Sequence, residues 1–243
     1  MAIIEVKNFS KSFSGKLVHE SVSFTVNKGE CLGLIGGSGM GKSVILRSLI
    51  GLEKPDSGEI IIEGEDIAHK NEKELIPIRK KVAYVFQNGA LFDSMSVYDN
   101  LAYPLREHTK HSEAKIKEII HDQLNEFGLI DAEDKSPSQL SGGMQKRVGL
   151  ARAIILGPKV VLYDEPTAGL DPYNTVRIQE MILRLKAKGV SSVFVTHDMP
   201  SVFAVCDRIA MLKDGKICAV GTIDELKSDA NSPLHKFISG EQV

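Results

Sequence analysis

The chain has 243 residues, 42% of them hydrophobic and 26% charged, with 30 basic and 32 acidic side chains giving a net charge of −2. That length and apolar content suit one globular domain, or one domain with a sizeable insert, with ample material for a buried core. The near-balanced charge and the lack of a long basic run give no sign of a nucleic-acid partner.

Cys31, Cys206 and Cys218 are odd in number and lack metal-ligand spacing, as expected of a reduced cytosolic protein. The start, Met1-Ala2-Ile3-Ile4-Glu5-Val6, alternates like a strand and lacks a signal-peptide layout. No apolar stretch approaches the roughly 18 residues of a membrane span. Any membrane role is therefore expected to run through a partner.

In chain order, residues 3–8, 19–26 and 30–35 read as strands, separated by turns at Ser14-Gly15-Lys16 and Asn27-Lys28-Gly29. The third strand runs into Gly36-Gly37-Ser38-Gly39-Met40-Gly41-Lys42-Ser43, which fits the phosphate-cradling pattern G-x-x-x-x-G-K-[ST]. A helix over residues 44–50 follows. Strand, glycine loop and helix start together make a nest of backbone N–H groups with the positive end of a helix dipole aimed into it. Lys42 is expected to reach the β- and γ-phosphates, and the Ser43 hydroxyl to ligate Mg²⁺. Pro55-Asp56-Ser57-Gly58 then marks a turn, residues 59–62 a strand, Glu63-Gly64-Glu65-Asp66 another turn, and residues 82–86 a buried strand ending at Gln87.

From 96 to about 156 the character becomes helical. Ile116, Ile119, Ile120, Leu124 and Phe127 form one stripe, with Ser112 as N-cap and Gly128 as stop. Strand–helix alternation then resumes, with strands at 160–164, 191–196, 208–213 and 216–220 and helices at 173–188 and from 199. A short helical tail occupies 222–243. Asp164 and Glu165 end an apolar strand, where an open α/β sheet places its ligand. In a phosphate-loop protein Asp164 is placed to hold Mg²⁺ and Glu165 to polarise an attacking water. The histidines other than His197, including His108 and His111, read as solvated.

Leu140-Ser141-Gly142-Gly143-Met144-Gln145 resembles the signature sequence of ABC ATPases, whose usual form has Gln where Met144 stands. The resemblance covers nearly the whole chain in the right order. Phe13 resembles the aromatic that stacks on adenine. The loop follows, with Gly36, Gly37, Ser38, Gly39, Met40, Gly41, Lys42, Ser43 and Val44 around the nucleotide. Gln87 matches the glutamine that touches Mg²⁺ and the transport partner. Asp164 and Glu165 come after the signature, Ala168-Gly169-Leu170-Asp171 resembles the loop that crosses the dimer interface, and His197 matches the histidine on the γ-phosphate.

The resemblance implies a P-loop NTPase core of ABC type. It would have a mostly parallel sheet, an N-terminal antiparallel β subdomain and a helical subdomain. One ABC ATPase domain would fill 1–243: core and β subdomain at 1–95 and 157–221, helical subdomain at 96–156, tail at 222–243. It further implies Mg²⁺-dependent ATP hydrolysis and a second copy of the chain, paired head to tail so that Ser141, Gly142 and Gly143 of one face ATP on the other.

Residues 88–100 and 103–109, with the signature, resemble the ATPases of the Mla/Mce phospholipid-transport systems. That implies permease subunits, periplasmic Mce-type lipid-binding and small cytoplasmic accessory partners, and a place on the cytoplasmic face of the inner membrane. An amino-acid importer ATPase, or a soluble ATPase of iron–sulfur assembly type, shares the same catalytic motifs.

Overall fold

Gly15, at φ +78°, turns the chain between two long strands, Ala2–Phe13 (β1) and Lys16–Asn27 (β2). Cys31–Ile35 (β3) follows, all five residues buried, then helix Lys42–Ser48 (α1). Next come strands Ser57–Ile62 (β4) and Glu65–Asp66 (β5), helix Glu72–Arg79 (α2) and strand Val82–Val85 (β6). Three helices then run in succession, Val97–His108 (α3), Glu113–Glu126 (α4) and Gly142–Ile154 (α5), with 3-10 turns at Ile130–Ala132 and Pro137–Gln139. The alternating part comprises Val160–Asp164 (β7), Pro172–Ala187 (α6), Ser191–Val195 (β8), Met199–Val205 (α7), Arg208–Lys213 (β9) and Lys216–Thr222 (β10). Ile223–Ser228 (α8) and Pro233–Ile238 (α9) close the order. This computed structural model describes residues 1–229 and 231–239; residue 230 and residues 240–243 of the expected tail lie outside the described residues.

Two sheets result. One is antiparallel, in the order β2-β1-β4-β5; the other is six-stranded, β10-β9-β3-β8-β7-β6. Within the second, every pair from β9 to β6 is parallel and only edge strand β10 runs against its neighbour. The α/β class with an N-terminal antiparallel sheet is therefore as expected. All residues of β3, β7 and β8 are buried, because a parallel sheet is covered on both faces. Alternate side chains of β3 serve two cores. Leu32 and Leu34 pack with Ile45 and Leu46 of α1, whereas Cys31 and Ile35 join the side that holds Val148 of α5 and Ile178 of α6. Central strands thus end together at one edge of the sheet, and the loops leaving that edge carry the chemistry.

Local signals explain most helix ends. Ser112 caps α4 by accepting from Lys115 N, Gly128 (φ +62°) ends it, and Ile116, Ile120 and Leu124 of the expected stripe are buried. Each such burial contributes roughly 1.5–3 kcal/mol. Two expectations need correction, and one helix was not expected. The span 63–66 is not all turn: Glu63 and Gly64 turn, and Glu65 and Asp66 pair back onto Ile62 and Ile61. Helix α2 has no counterpart in the sequence reading, because Pro77 inside it masks the pattern that the Asn71–Glu74 capping box begins. His19 is not solvated but wholly buried, its ring 5.4 Å from that of Phe9 on the neighbouring strand.

Candidate functional site

The loop 36–43 leaves β3 and enters α1 at Gly41, whose φ of +80° is left-handed. A Cβ there would lie 2.6 Å from His19 Cε1 and 2.7 Å from His19 Nε2, so only glycine fits the position without displacement. Lys42 is almost buried, and its Nζ donates to the carbonyl oxygens of Gly36 and Gly37, both at 2.9 Å. Burial lowers its ammonium pKa from the ordinary value, and the carboxylates of Glu165 and Asp164 partly restore it. Gly41→Ala is therefore expected to weaken nucleotide binding roughly 5- to 30-fold, since the left-handed backbone alone costs a non-glycine residue about 1–2 kcal/mol. Titration with a fluorescent ATP analogue checks it; affinity equal to wild type would refute it.

The second part of the site comes from the ends of β7 and β8. Ser43 Oγ donates to Asp164 Oδ1 at 2.8 Å, and Tyr84 of β6 donates its hydroxyl to Oδ2 at 2.7 Å. Burial, followed by the hydrogen bond to this carboxylate, drives the Tyr84 phenol well above its ordinary pKa, so it stays a donor. Glu165 is also left-handed (φ +50°), a conformation that costs a side-chain-bearing residue about 1–2 kcal/mol. Its N–H reaches Val195 O at 2.9 Å, and its two carboxylate oxygens accept from Thr196 Oγ1 at 3.0 Å and meet His197 Nδ1 at 2.9 Å. The turn re-aims the carboxylate toward β8. Ser38, Gly39, Lys42, Ser43, Glu165 and His197 line one cleft of about 330 Å³.

Other expected residues lie outside that cleft. Phe13 ends β1 with 40% of its surface exposed and Lys11 Nζ 5.1 Å from its ring centroid. Gln87 follows β6 and is exposed. Ser141 caps α5, its Oγ accepting from Met144 N at 3.3 Å, and Gly142 is open, with nothing within 4 Å of a would-be Cβ. At Gly143 a Cβ would sit 2.5 Å from Asn174 Oδ1, and Asn174 N in turn donates to Asp171 at the cap of α6. The opening of α5 is thereby seated on α6, and Lys146 of α5 also donates to Ala168 O. Burial lowers the Lys146 pKa, partly opposed by Glu165.

Sequence reasoning missed Tyr84, Thr196 and Lys146. Thr196 was within reach, as the residue before His197; Tyr84 and Lys146 act across the fold and left no local signal. His19 was missed as well. Among the described residues neither ring nitrogen has a partner at good hydrogen-bond geometry, and burial lowers its pKa below the ordinary 6.5, partly opposed by the nearby backbone of Met40 and Gly41. The unfolded chain takes up this proton first, so the stability is fully present above about pH 6.5 and is lost as pH falls below it, by at most about 1.4 kcal/mol per pH unit. Urea midpoints between pH 7.5 and 5.5 should fall for the wild type and change less for His19→Phe; parallel curves would contradict this.

The fold and this loop–strand arrangement define a nucleotide-hydrolysing cassette, and residues 19–168 match the family described as ABC transporter. The chain belongs to that family and is an ABC-type ATPase. It is 42% identical over 241 residues to mkl of Mycobacterium tuberculosis, an ATP-binding protein named for ribonucleotide transport, covering 99% of this chain and 67% of that protein. It is 37% identical over 239 residues to the intermembrane phospholipid transport system ATP-binding protein MlaF of Escherichia coli K12, covering 98% and 89%. A solved dimeric ATP-binding cassette in a post-hydrolysis state, bound to ADP and Pi, superposes with a TM-score of 0.84 at 29% identity, covering 90% of this chain and 98% of that one.

Proposed function

We propose that this chain is the ATP-hydrolysing subunit of a membrane ABC transporter that moves phospholipid between the inner and outer membranes of a diderm envelope. The catalytic part rests on one observation: Ser43 joined to Asp164, and Glu165 joined to His197, at the same sheet edge as the glycine loop. The cargo rests on the similarity to MlaF and on the stretch after Gln87.

ATP is the substrate. Loop amides from Gly37 to Val44 and the Lys42 ammonium neutralise its phosphates, the largest contribution expected to transition-state stabilisation. Phe13 offers an exposed ring for the base. A hydroxyl and a carboxylate oxygen 2.8 Å apart suit a hard divalent ion, and among the described residues no three His, Cys, Asp or Glu side chains cluster as metal ligands. Mg²⁺ would be held by Ser43 and Asp164, with Gln87 as a further oxygen, and would supply charge neutralisation at the phosphates. Tyr84 orients Asp164. Glu165 accepts the proton of the attacking water or orients it, and His197 holds Glu165 and the γ-phosphate in line.

Two copies would pair head to tail. Ser141, Gly142 and Gly143 of each would face the nucleotide on the other, with Asp171 at the crossing loop. Residues 96–156 would act as the helical subdomain against a core of 1–95 and 157–221, with the described part of 222–243 as a tail.

No helix among the described residues is long and apolar enough to cross a membrane. The chain would sit on the cytoplasmic face of the inner membrane beneath its permease. A recess of about 360 Å³, lined by Tyr84, Phe92, Tyr103 and Arg152, would receive a permease coupling helix. There Phe92 meets Tyr103 edge to face at 5.4 Å, and Arg152 lies 5.2 Å above the Phe92 ring. Periplasmic Mce-type and small cytoplasmic accessory subunits would complete the assembly.

The complex isolated from membranes in detergent tests the reading. Co-purification of a permease with bound phospholipid is expected. A permease carrying ribonucleotide or amino acid instead, or soluble partners alone, would overturn the cargo.

A further inference from the structure

A recess of about 290 Å³ lies away from the catalytic cleft, between the end of α4, the middle of α5 and the outer face of α6. Its lining is unusual in charge. Arg147 comes from α5, and Arg177 and Arg184 come from α6, seven residues apart on one face. An arginine cannot shed its proton to relieve crowding.

The carboxylates nearby do not balance these cations. Glu126 is already paired with Lys188 at 2.9 Å. Glu180 is shared loosely, 3.4 Å from Arg177 and 3.9 Å from Arg184, and the neutral Tyr173 hydroxyl accepts from Arg177 Nε and Nη2 at 3.3 and 3.2 Å without adding a balancing charge. Lys188 included, four cations meet two carboxylates. Arg147 is the most constrained. Its Nη1 donates to Phe127 O and Gly128 O at the end of α4, while its buried Nε has no acceptor. Burial lowers the basicity of that guanidinium; Tyr173 opposes this and the Arg177 charge adds to it. Cations held close, with an unmatched buried donor among them, are poorly placed unless an anion joins them.

We infer that this recess binds a small soluble anion carrying at least two negative charges as phosphoryl or carboxylate groups. Guanidinium forks match both groups bidentately, and Arg184, with one distant partner, offers the most open fork. The ligand would span α5 to α6, the helices that Ser141 and Asp171 begin. Occupancy would stiffen the link between the signature and the crossing loop. The inference stands apart from the catalytic and cargo readings and survives if either fails.

Two measurements test it. Crystals soaked in tungstate should show the ion among Arg147, Arg177 and Arg184, with the loop 36–43 as an internal positive control. Calorimetric titration of pyrophosphate, and separately citrate, into the Lys42→Ala chain without Mg²⁺ should give binding that weakens tenfold or more when Arg177→Ala and Arg184→Ala are added. Tighter pyrophosphate assigns a phosphoryl ligand and tighter citrate a carboxylate. Tungstate confined to residues 36–43, no binding of either titrant, or equal binding by the arginine variant would each overturn the inference. Melting temperature and basal ATPase rate of Arg177→Ala/Arg184→Ala in the otherwise wild-type chain confirm that the variant is folded.

Discussion

Replacing Glu165 by Gln should lower ATP turnover by a factor of about 10²–10⁴, or roughly 3–5 kcal/mol of barrier, the usual contribution of a positioned base. The surroundings explain why the loss would be chemical and not structural. Glu165 Oε2 accepts from Thr196 Oγ1 and Oε1 meets His197 Nδ1, and both partners can adapt to an amide, since a hydroxyl can accept and an imidazole can change tautomer. The backbone turn is held by Glu165 N to Val195 O, which the substitution leaves intact. ATP should therefore still bind and two chains should still close over it, without the carboxylate charge needed to draw a proton from water. The variant is expected as an ATP-stable dimer on gel filtration. Turnover within tenfold of wild type would reject Glu165 as the base.

Ser141→Arg should have an effect of similar size by a different route. Ser141 contributes two things: it caps α5, a loss worth about 1 kcal/mol, and it stands beside the open surface of Gly142. A long cation at this point would close the N–H face that a γ-phosphate on the second copy must reach. The loop 36–43 lies elsewhere on the same chain, so binding of a fluorescent ATP analogue should stay within about threefold. Closure should fail, and turnover should fall by about 10² or more. Light scattering with ATP separates the outcomes. An ATP-dependent dimer of Ser141→Arg with normal turnover would refute the composite site.

The two variants divide the mechanism cleanly. One should trap the closed pair and the other should prevent it, although neither touches the phosphate loop. If both gave the same monomeric, inactive chain, the head-to-tail arrangement would lose its support even though the fold remained.

What was legible in the sequence was local. Gly36 to Ser43 announce their loop because a tight, amide-rich turn needs glycine at fixed spacing. Asp164 and Glu165 gain their meaning from that loop upstream, since a solvated strand end alone would explain two carboxylates after an apolar run equally well. Ser112, Ser141 and Asp171 cap helices in the structure as short polar residues before a helical run do elsewhere. Each signal lies within a few residues of the chain it organises, so the motifs and their order were legible, and the resemblance that they carry implied the family and the class of fold.

Tertiary structure decided the contacts made across the fold. Tyr84 and Asp164 are 80 residues apart and meet only because β6 pairs with β7. His19 looks like any strand histidine until β2 folds its ring beneath Gly41. Arg147, Arg177 and Arg184 share a recess only once α5 packs beside α6. Spacing along the chain encodes turns and helix ends, whereas burial, charge crowding and cross-strand hydrogen bonds depend on distances that exist only after the sheet has assembled.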